Sequence, residues 1–153
     1  MGVFANSKIS SIPSNLFRYN INVTDFSDIF SETKITSIPE ELFRNNTKVL
    51  VFQGAFNSCK RLATIPENLF KYNTLAKNMG VVLRETAITA IPENLFANNP
   101  NIVDISYAFK DCKNITFIPQ SIINKANSVS THYFTFNGCT AASNYLSLPQ
   151  SLR

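Results

Sequence analysis

The sequence predicts a right-handed α/β solenoid of five to six rungs with a parallel sheet along one side, and three residue columns predict it. The prolines Pro13, Pro39, Pro66, Pro92 and Pro119 are spaced 26, 27, 26 and 27 residues apart, and a degenerate LSLPQSL places Pro149 thirty further on. An aromatic column runs in step through Phe4, Phe30, Phe56, Leu83, Phe109 and Phe136. Asparagine supplies the third, at Asn20, Asn46, Asn73 and Asn99. A unit of 26 to 27 residues cannot bury all its apolar positions alone, but stacked units bury each column against its own copy.

Each rung divides into segments. I-x-x-I-P is short and β-branched and ends at a proline, which predicts a brief strand, paired in parallel with its copies at roughly 4.8 Å. The following P-x-x-L-F-x-x-N, as in IPENLFKYN, predicts one or two helical turns with proline in the first position. Glu40, Glu67 and Glu93 then fall in the first turn and Arg18, Arg44 and Lys71 in the last, as the helix dipole prefers. The asparagines fall where a left-handed C-terminal residue is wanted. The remaining arc, with Val23, Phe26, Ile29 and Phe30 three and four apart, fits a second short helix or an irregular arc. One extra residue after Cys59 and after Cys112 explains the alternation of the period.

Composition narrows the class. Of 153 residues 44% are apolar, which excludes disorder, and 16% are charged, so the nineteen asparagines solvate much of the surface. A net charge of +4 without clustered basic residues argues against nucleic acid as a partner. No apolar run approaches the ~20 residues that span a bilayer, so membrane insertion is not expected. MGVFANSKIS lacks the charged-then-apolar order of a signal peptide, and Asn6 stands where a myristoylation motif wants Ser or Thr.

NVTDFSDIFSETKITSIP and the F-x-x-C-x-x-[IL] pattern of FNSCKRL and FKDCKNI resemble the BspA-type leucine-rich repeats. More narrowly, they are similar to bacterial surface-protein repeats first noted in mycoplasmas and common in low-GC bacteria and their phages. The resemblance covers nearly the whole chain and implies a solenoid that binds proteins or glycans, often in adhesion at a cell surface. Family members usually carry many more repeats. Residues 1–153 are therefore expected to be a single repeat domain within a longer protein or assembly, at the cell surface or secreted, or alternatively in a phage tail or virion.

No catalytic or metal residues and no cofactor are predicted, and the chain is not expected to be an enzyme. Cys59, Cys112 and Cys139 share a column with Ser7, Thr33 and Thr86, which wants a small, partly polar side chain. Parallel side-chain directions there favour free, buried thiols over a bridge. His132, the sole histidine, shares the column of Phe26, Phe52, Met79 and Ile105, with no legible catalytic partners. Asp25 and Asp104 lie three rungs apart, roughly 14 Å, too far for a glycosidase pair. The series Arg18, Arg44 and Lys71 is a candidate anion stripe that the dipole already explains. The triplets at Asn22, Asn45 and Asn114 read as chance glycosylation motifs.

The candidate ligand face is the exposed side of I-x-x-I: Thr36, Ser37, Thr64, Thr89, Thr116 and Phe117, flanked by Ser10, Ser11, Ala63 and Ala90. Phe117 breaks the small-residue pattern, either as an interface anchor or as a ring that repacks its weaker rung. A protein or glycan is the expected ligand. The ends, at Val3 and Phe4 and at Leu148 and Leu152, lack polar caps, which predicts end-to-end contact with another domain or subunit.

Overall fold

The computed structural model describes residues 2–153 as a stack of rungs built from turns. The arc after the asparagine column sets the pattern. In residues 26–33 the N–H groups of Ile29, Ser31 and Thr33 turn back to the carbonyls of Phe26, Asp28 and Phe30 at 3.2, 3.0 and 3.3 Å. The intervening N–H groups of Phe26, Asp28, Phe30 and Glu32 donate to Val51, Gln53, Ala55 and Asn57 of the next rung at 2.8 to 2.9 Å. Three of these donors thus close the arc and four, alternating with them, tie it to its neighbour. The arrangement recurs at Phe52, Met79 and Ile105.

Two of the three turns, those closing at Ile29 and Thr33, carry a residue with positive φ at their third position, as a type II turn requires. Two such positions, four apart, recur as Asp28 and Glu32, Gly54 and Ser58, Val81 and Glu85, Tyr107 and Asp111, and Phe134 and Gly138, with φ from +49° to +82°. Asp25, Asn78 and Asp104 begin the arc as local caps. The N–H of Ser27, Gly80 and Ser106 reach their side-chain oxygens at 2.7 to 2.8 Å.

The expected parallel sheet is absent among the described residues, and the α/β assignment is corrected accordingly. Parallel pairing is confined to isolated contacts along Asp25, Val51, Asn78, Asp104 and Thr131, in the arc and not in the predicted strand. The I-x-x-I arm is extended but joins its neighbours by single bonds, such as Thr116 N to Thr89 O at 3.1 Å and Lys34 N to Ile9 O at 3.0 Å. The reason lies in the spacing. In a pleated strand residues two apart share a face. Ile35 and Ile38 are three apart and both buried, with Thr36 and Ser37 both outward, so the arm cannot alternate. Pro39 then removes a donor where a ladder would continue.

The predicted helical turns are corrected as well. P-x-x-L-F-x-x-N is a run of overlapping four-residue turns: Leu16 N to Pro13 O, Arg18 N to Asn15 O, and Asn20 N to Phe17 O, at 3.0 to 3.1 Å. Among the described residues one α-helix forms, α1 (Gln120–Ser128), in the most divergent copy. There Ile122, Ile123 and Ala126 face inward, and Ala126 replaces the asparagine of the other rungs.

The asparagines are not left-handed caps. Asn46, Asn73 and Asn99 are fully buried and point at the rung before them. Asn73 Nδ2 donates to Phe43 O at 3.1 Å and to Asn46 O at 2.9 Å, and Asn99 Nδ2 to Phe70 O and Asn73 O at 3.0 and 2.9 Å. The row gives a second donor to carbonyls that already accept from their own turns, such as Phe43 O from Asn46 N at 3.1 Å and Asn46 O from Val49 N at 3.2 Å, and so ties each rung to the one before it. Lys125 continues it on α1, its Nζ 3.1 Å from Asn99 O, and burial lowers its pKa.

Around this row the apolar columns stack as the period requires. Phe4, Phe30 and Phe56 lie parallel at 5.5 and 5.7 Å, and Phe17, Phe43, Phe70 and Phe96 at 6.0 to 6.2 Å. Each buried ring contributes roughly 1.5–3 kcal/mol.

The two ends differ. Leu148 and Leu152 are buried, and the carbonyls of Ser151 and Leu152 accept from Phe134 and Phe136 at 2.8 and 2.7 Å, so residues 148–152 stand in for a further rung. Asn144 closes the arm side, its amide pairing with both Ile118 N and Ile118 O. The first rung is open: Val3 is 83% exposed, and Phe4, Leu16 and Val23 are only partly covered.

Candidate functional site

Thr36, Ser37, Thr64, Thr89, Thr116 and Phe117 all lie exposed on the arm face. The turn-based fold places them there. Each arm holds its two aliphatic residues inward, isoleucines except for Leu62, so the two residues between them point out, and the bond from Thr116 N to Thr89 O keeps successive arms adjacent. Phe117 is 53% exposed and stacks on no other ring among the described residues. The face is a plane of small hydroxyl groups with one ring at its C-terminal side.

The remaining candidates have structural occupations. Cys59, Cys112 and Cys139 are free and buried. Their thiols donate to Phe30, Leu83 and Phe109 O of the preceding rung at 3.1, 3.0 and 3.0 Å, and Thr33 and Thr86 bond the same Phe30 and Leu83 carbonyls. The column therefore selects a short donor. Burial raises all three thiol pKa values, that of Cys112 to about 11. His132 is half-buried, with Nδ1 3.1 Å from Val129 O. Asp25 and Asp104 hold Ser27 and Ser106 in their own rungs. Among the described residues no three His, Cys, Asp or Glu side chains gather as a metal set, and no helix is long and apolar enough to cross a membrane.

The basic stripe is held within the protein. Arg44 Nη1 bonds both carboxylate oxygens of Glu41 at 2.8 Å, and its guanidinium lies 5.4 Å from the centre of the Tyr72 ring. Arg18 lies over Tyr19 at 5.4 Å and Lys71 over Tyr72 at 5.8 Å.

A second basic row was not singled out from the sequence. Lys8, Lys34, Lys60 and Lys113 each follow the buried Ser/Thr/Cys column directly, so they point outward beside the arm face. Two open grooves of about 510 and 460 Å³ run along this row and share Lys60 and Glu85. The signal was available in the aligned repeats, because four of six rungs carry lysine there, with Ala87 and Thr140 in the other two.

No family model and no curated protein matches the chain. Solved structures do resemble it. The Toll–Spatzle complex of Drosophila contains a chain that aligns with a TM-score of 0.60 at 19% identity, covering 83% of this chain and 15% of that one. The leucine-rich repeat domain of APL1 aligns with a TM-score of 0.56 at 14% identity, covering 66% of this chain and 25% of that one. The leucine-rich repeat domain of APL1B gives 0.50 at 17% identity, covering 62% and 27%. The fold is thus that of leucine-rich repeats, and the chain spans about a quarter or less of the length of these structures.

Proposed function

We propose that this chain is a non-enzymatic binding module of the BspA-like leucine-rich-repeat type, which docks a protein or glycan on its arm face in surface adhesion. The carrying observation is the face itself: Thr36, Ser37, Thr64, Thr89 and Thr116 are outward on successive rungs, with Phe117 exposed beside them. Hydroxyl groups at rung spacing offer donors and acceptors to a partner backbone or a sugar. An exposed ring is the side-chain type most enriched among interface anchors.

A labelled chain applied to arrays of surface proteins and neutral glycans tests this reading. The expected result is a ligand whose affinity falls about thirtyfold in Phe117→Ala, equivalent to about 2 kcal/mol, with unchanged melting. Capture of no ligand, or equal capture by wild type and Phe117→Ala, contradicts it.

A second reading, a structural part of a phage tail or virion, is favoured by the open first rung, where Val3, Phe4, Leu16, Phe17 and Phe26 border a depression of about 350 Å³. End-to-end stacking there would cover the aromatic columns. Sedimentation velocity tests it: concentration-dependent association that Phe4→Glu abolishes supports it, and a monomer at all concentrations opposes it.

A further inference from the structure

We propose that Lys8, Lys34, Lys60 and Lys113, with Arg61, form a docking edge for a linear acidic polysaccharide laid along the solenoid axis. The inference deepens the arm-face reading and rests on it, because Lys34, Thr36 and Ser37 project from the same arm.

Position is the first argument. Ser7, Thr33, Cys59 and Cys112 immediately precede the lysines and are turned into the stack. Thr33 and Cys59 touch at 3.4 Å, and Thr86 and Cys112 at 3.3 Å. Buried contacts therefore set the origin of Lys34, Lys60 and Lys113, and the row has the rung spacing. At ~4.8 Å per rung, Lys8 to Lys113 covers four steps, or about 19 Å. Neighbouring charges lie within a Debye length of ~8–10 Å and act together on one anionic chain.

Availability is the second. Among the described residues the ion pairs are Arg44 with Glu41 and Arg84 with Glu85, and neither draws on this row. The lysine amines with side-chain bonds are those of Lys48 and Lys125, elsewhere in the fold. The other stripe, Arg18, Arg44 and Lys71, already lies against Glu41, Tyr19 and Tyr72. One cationic row is satisfied internally, and the other faces solvent.

Shape and chemistry select the occupant. The two grooves beside the row share Lys60 and Glu85 and form one furrow from Glu32 to Asp111. Glu85 is fixed there by Arg84 at 2.7 Å and Ser58 at 3.1 Å. The carboxylates of Glu32, Glu85 and Asp111 accept hydroxyl donors, which the rings of a polysaccharide offer and a DNA backbone lacks. No aromatic side chain lines either groove, whereas single-stranded nucleic acid binds on stacking platforms. Sparse cations interleaved with carboxylates match a polymer that carries both hydroxyls and spaced sulfates or carboxylates.

The test uses heparin and polygalacturonate as probes, with dextran and oligo-dT for contrast, on two matched triple variants checked for unchanged melting. Wild type is expected to bind both acidic polysaccharides at 50 mM salt and not dextran. Its affinity should fall with salt at a log–log slope of about 3 to 4, as release of counterions from that number of contacts requires. K34A/K60A/K113A should lose tenfold or more, and R18A/R44A/K71A less than twofold. Absence of binding to both acidic polysaccharides, equal loss in the two triples, or tighter binding to oligo-dT overturns the inference. A protein or neutral glycan still captured by wild type and sensitive to Phe117→Ala leaves the arm-face reading standing in that event; loss of that capture removes both.

Discussion

The thiol of Cys112 lies 3.3 Å from the hydroxyl of Thr86, and both donate to the one carbonyl of Leu83, at 3.0 and 2.9 Å. Two successive rungs thus share a single acceptor in a fully buried site. The thiol acts there as a neutral donor, and the ionised form would face an oxygen without a proton between them.

Alkaline stability should reflect this. Burial holds the Cys112 pKa at about 11, above its ordinary value of 9.0, so its protonated form stabilises the fold in full below pH 9. That contribution is lost as pH rises from about 9 through 11, because the unfolded chain ionises first. About two units correspond to on the order of 3 kcal/mol. The urea midpoint of wild type should fall across that window, and Cys112→Ser, which keeps the donor, should flatten the fall. Equal slopes in the two proteins would remove the thiol from the account. The three thiols should also resist alkylation at neutral pH while folded and react once denatured.

Backbone strain predicts substitutions of opposite sign. Val81 is β-branched at φ +49°, where such side chains are costly. Val81→Asn should stabilise by about 0.5–1 kcal/mol, because asparagine tolerates that region. Gly138 sits at φ +82°, and an added Cβ would lie 3.2 Å from Asp111 Cα and 2.5 Å from Asp111 Oδ1. Gly138→Ala should lose about 1–2 kcal/mol. Thermal melting of the pair checks both, and a loss in Val81→Asn would mean that valine packing outweighs the strain.

Phe117 should be nearly silent in stability. Its ring is half exposed, so Phe117→Ala should cost less than about 1 kcal/mol in denaturant unfolding, against roughly 3 for a core phenylalanine such as Phe70. A loss near 3 kcal/mol would make Phe117 a packing residue and withdraw it from the ligand face.

The register of the solenoid was legible because Phe, Pro and Asn columns repeat with one period, and burial enforces each of them. The local structure was less so. I-x-x-I looks β-rich by composition, yet its spacing of three, with Thr36 and Ser37 both outward, already conflicts with a pleat. Asn46 and Asn73 fit a cap and a ladder equally well in one dimension; only the neighbouring rung decides. Glycine marks the left-handed positions at Gly54 and Gly138, while Asp28, Val81 and Tyr107 conceal the same geometry. The outward direction of the arm residues was readable from Ile35 and Ile38. The lysine row was readable too, one position after the cysteine column, although Ala87 and Thr140 interrupt it.

The central claim is that backbone bonds between arcs together with a buried row of asparagine amides, not a sheet, join the rungs. The direct measurement is urea unfolding of Asn73→Ala beside Asn20→Ala. Asn73 is fully buried and serves Phe43 O and Asn46 O, whereas Asn20 is exposed at the open rung. Loss of the amide at Asn73 takes the second donor from two buried carbonyls, leaving each with its turn bond from Asn46 N or Val49 N, and should cost about 1–3 kcal/mol, while Asn20→Ala should cost under about 0.5 kcal/mol. Equal and small losses at the two positions would contradict the account.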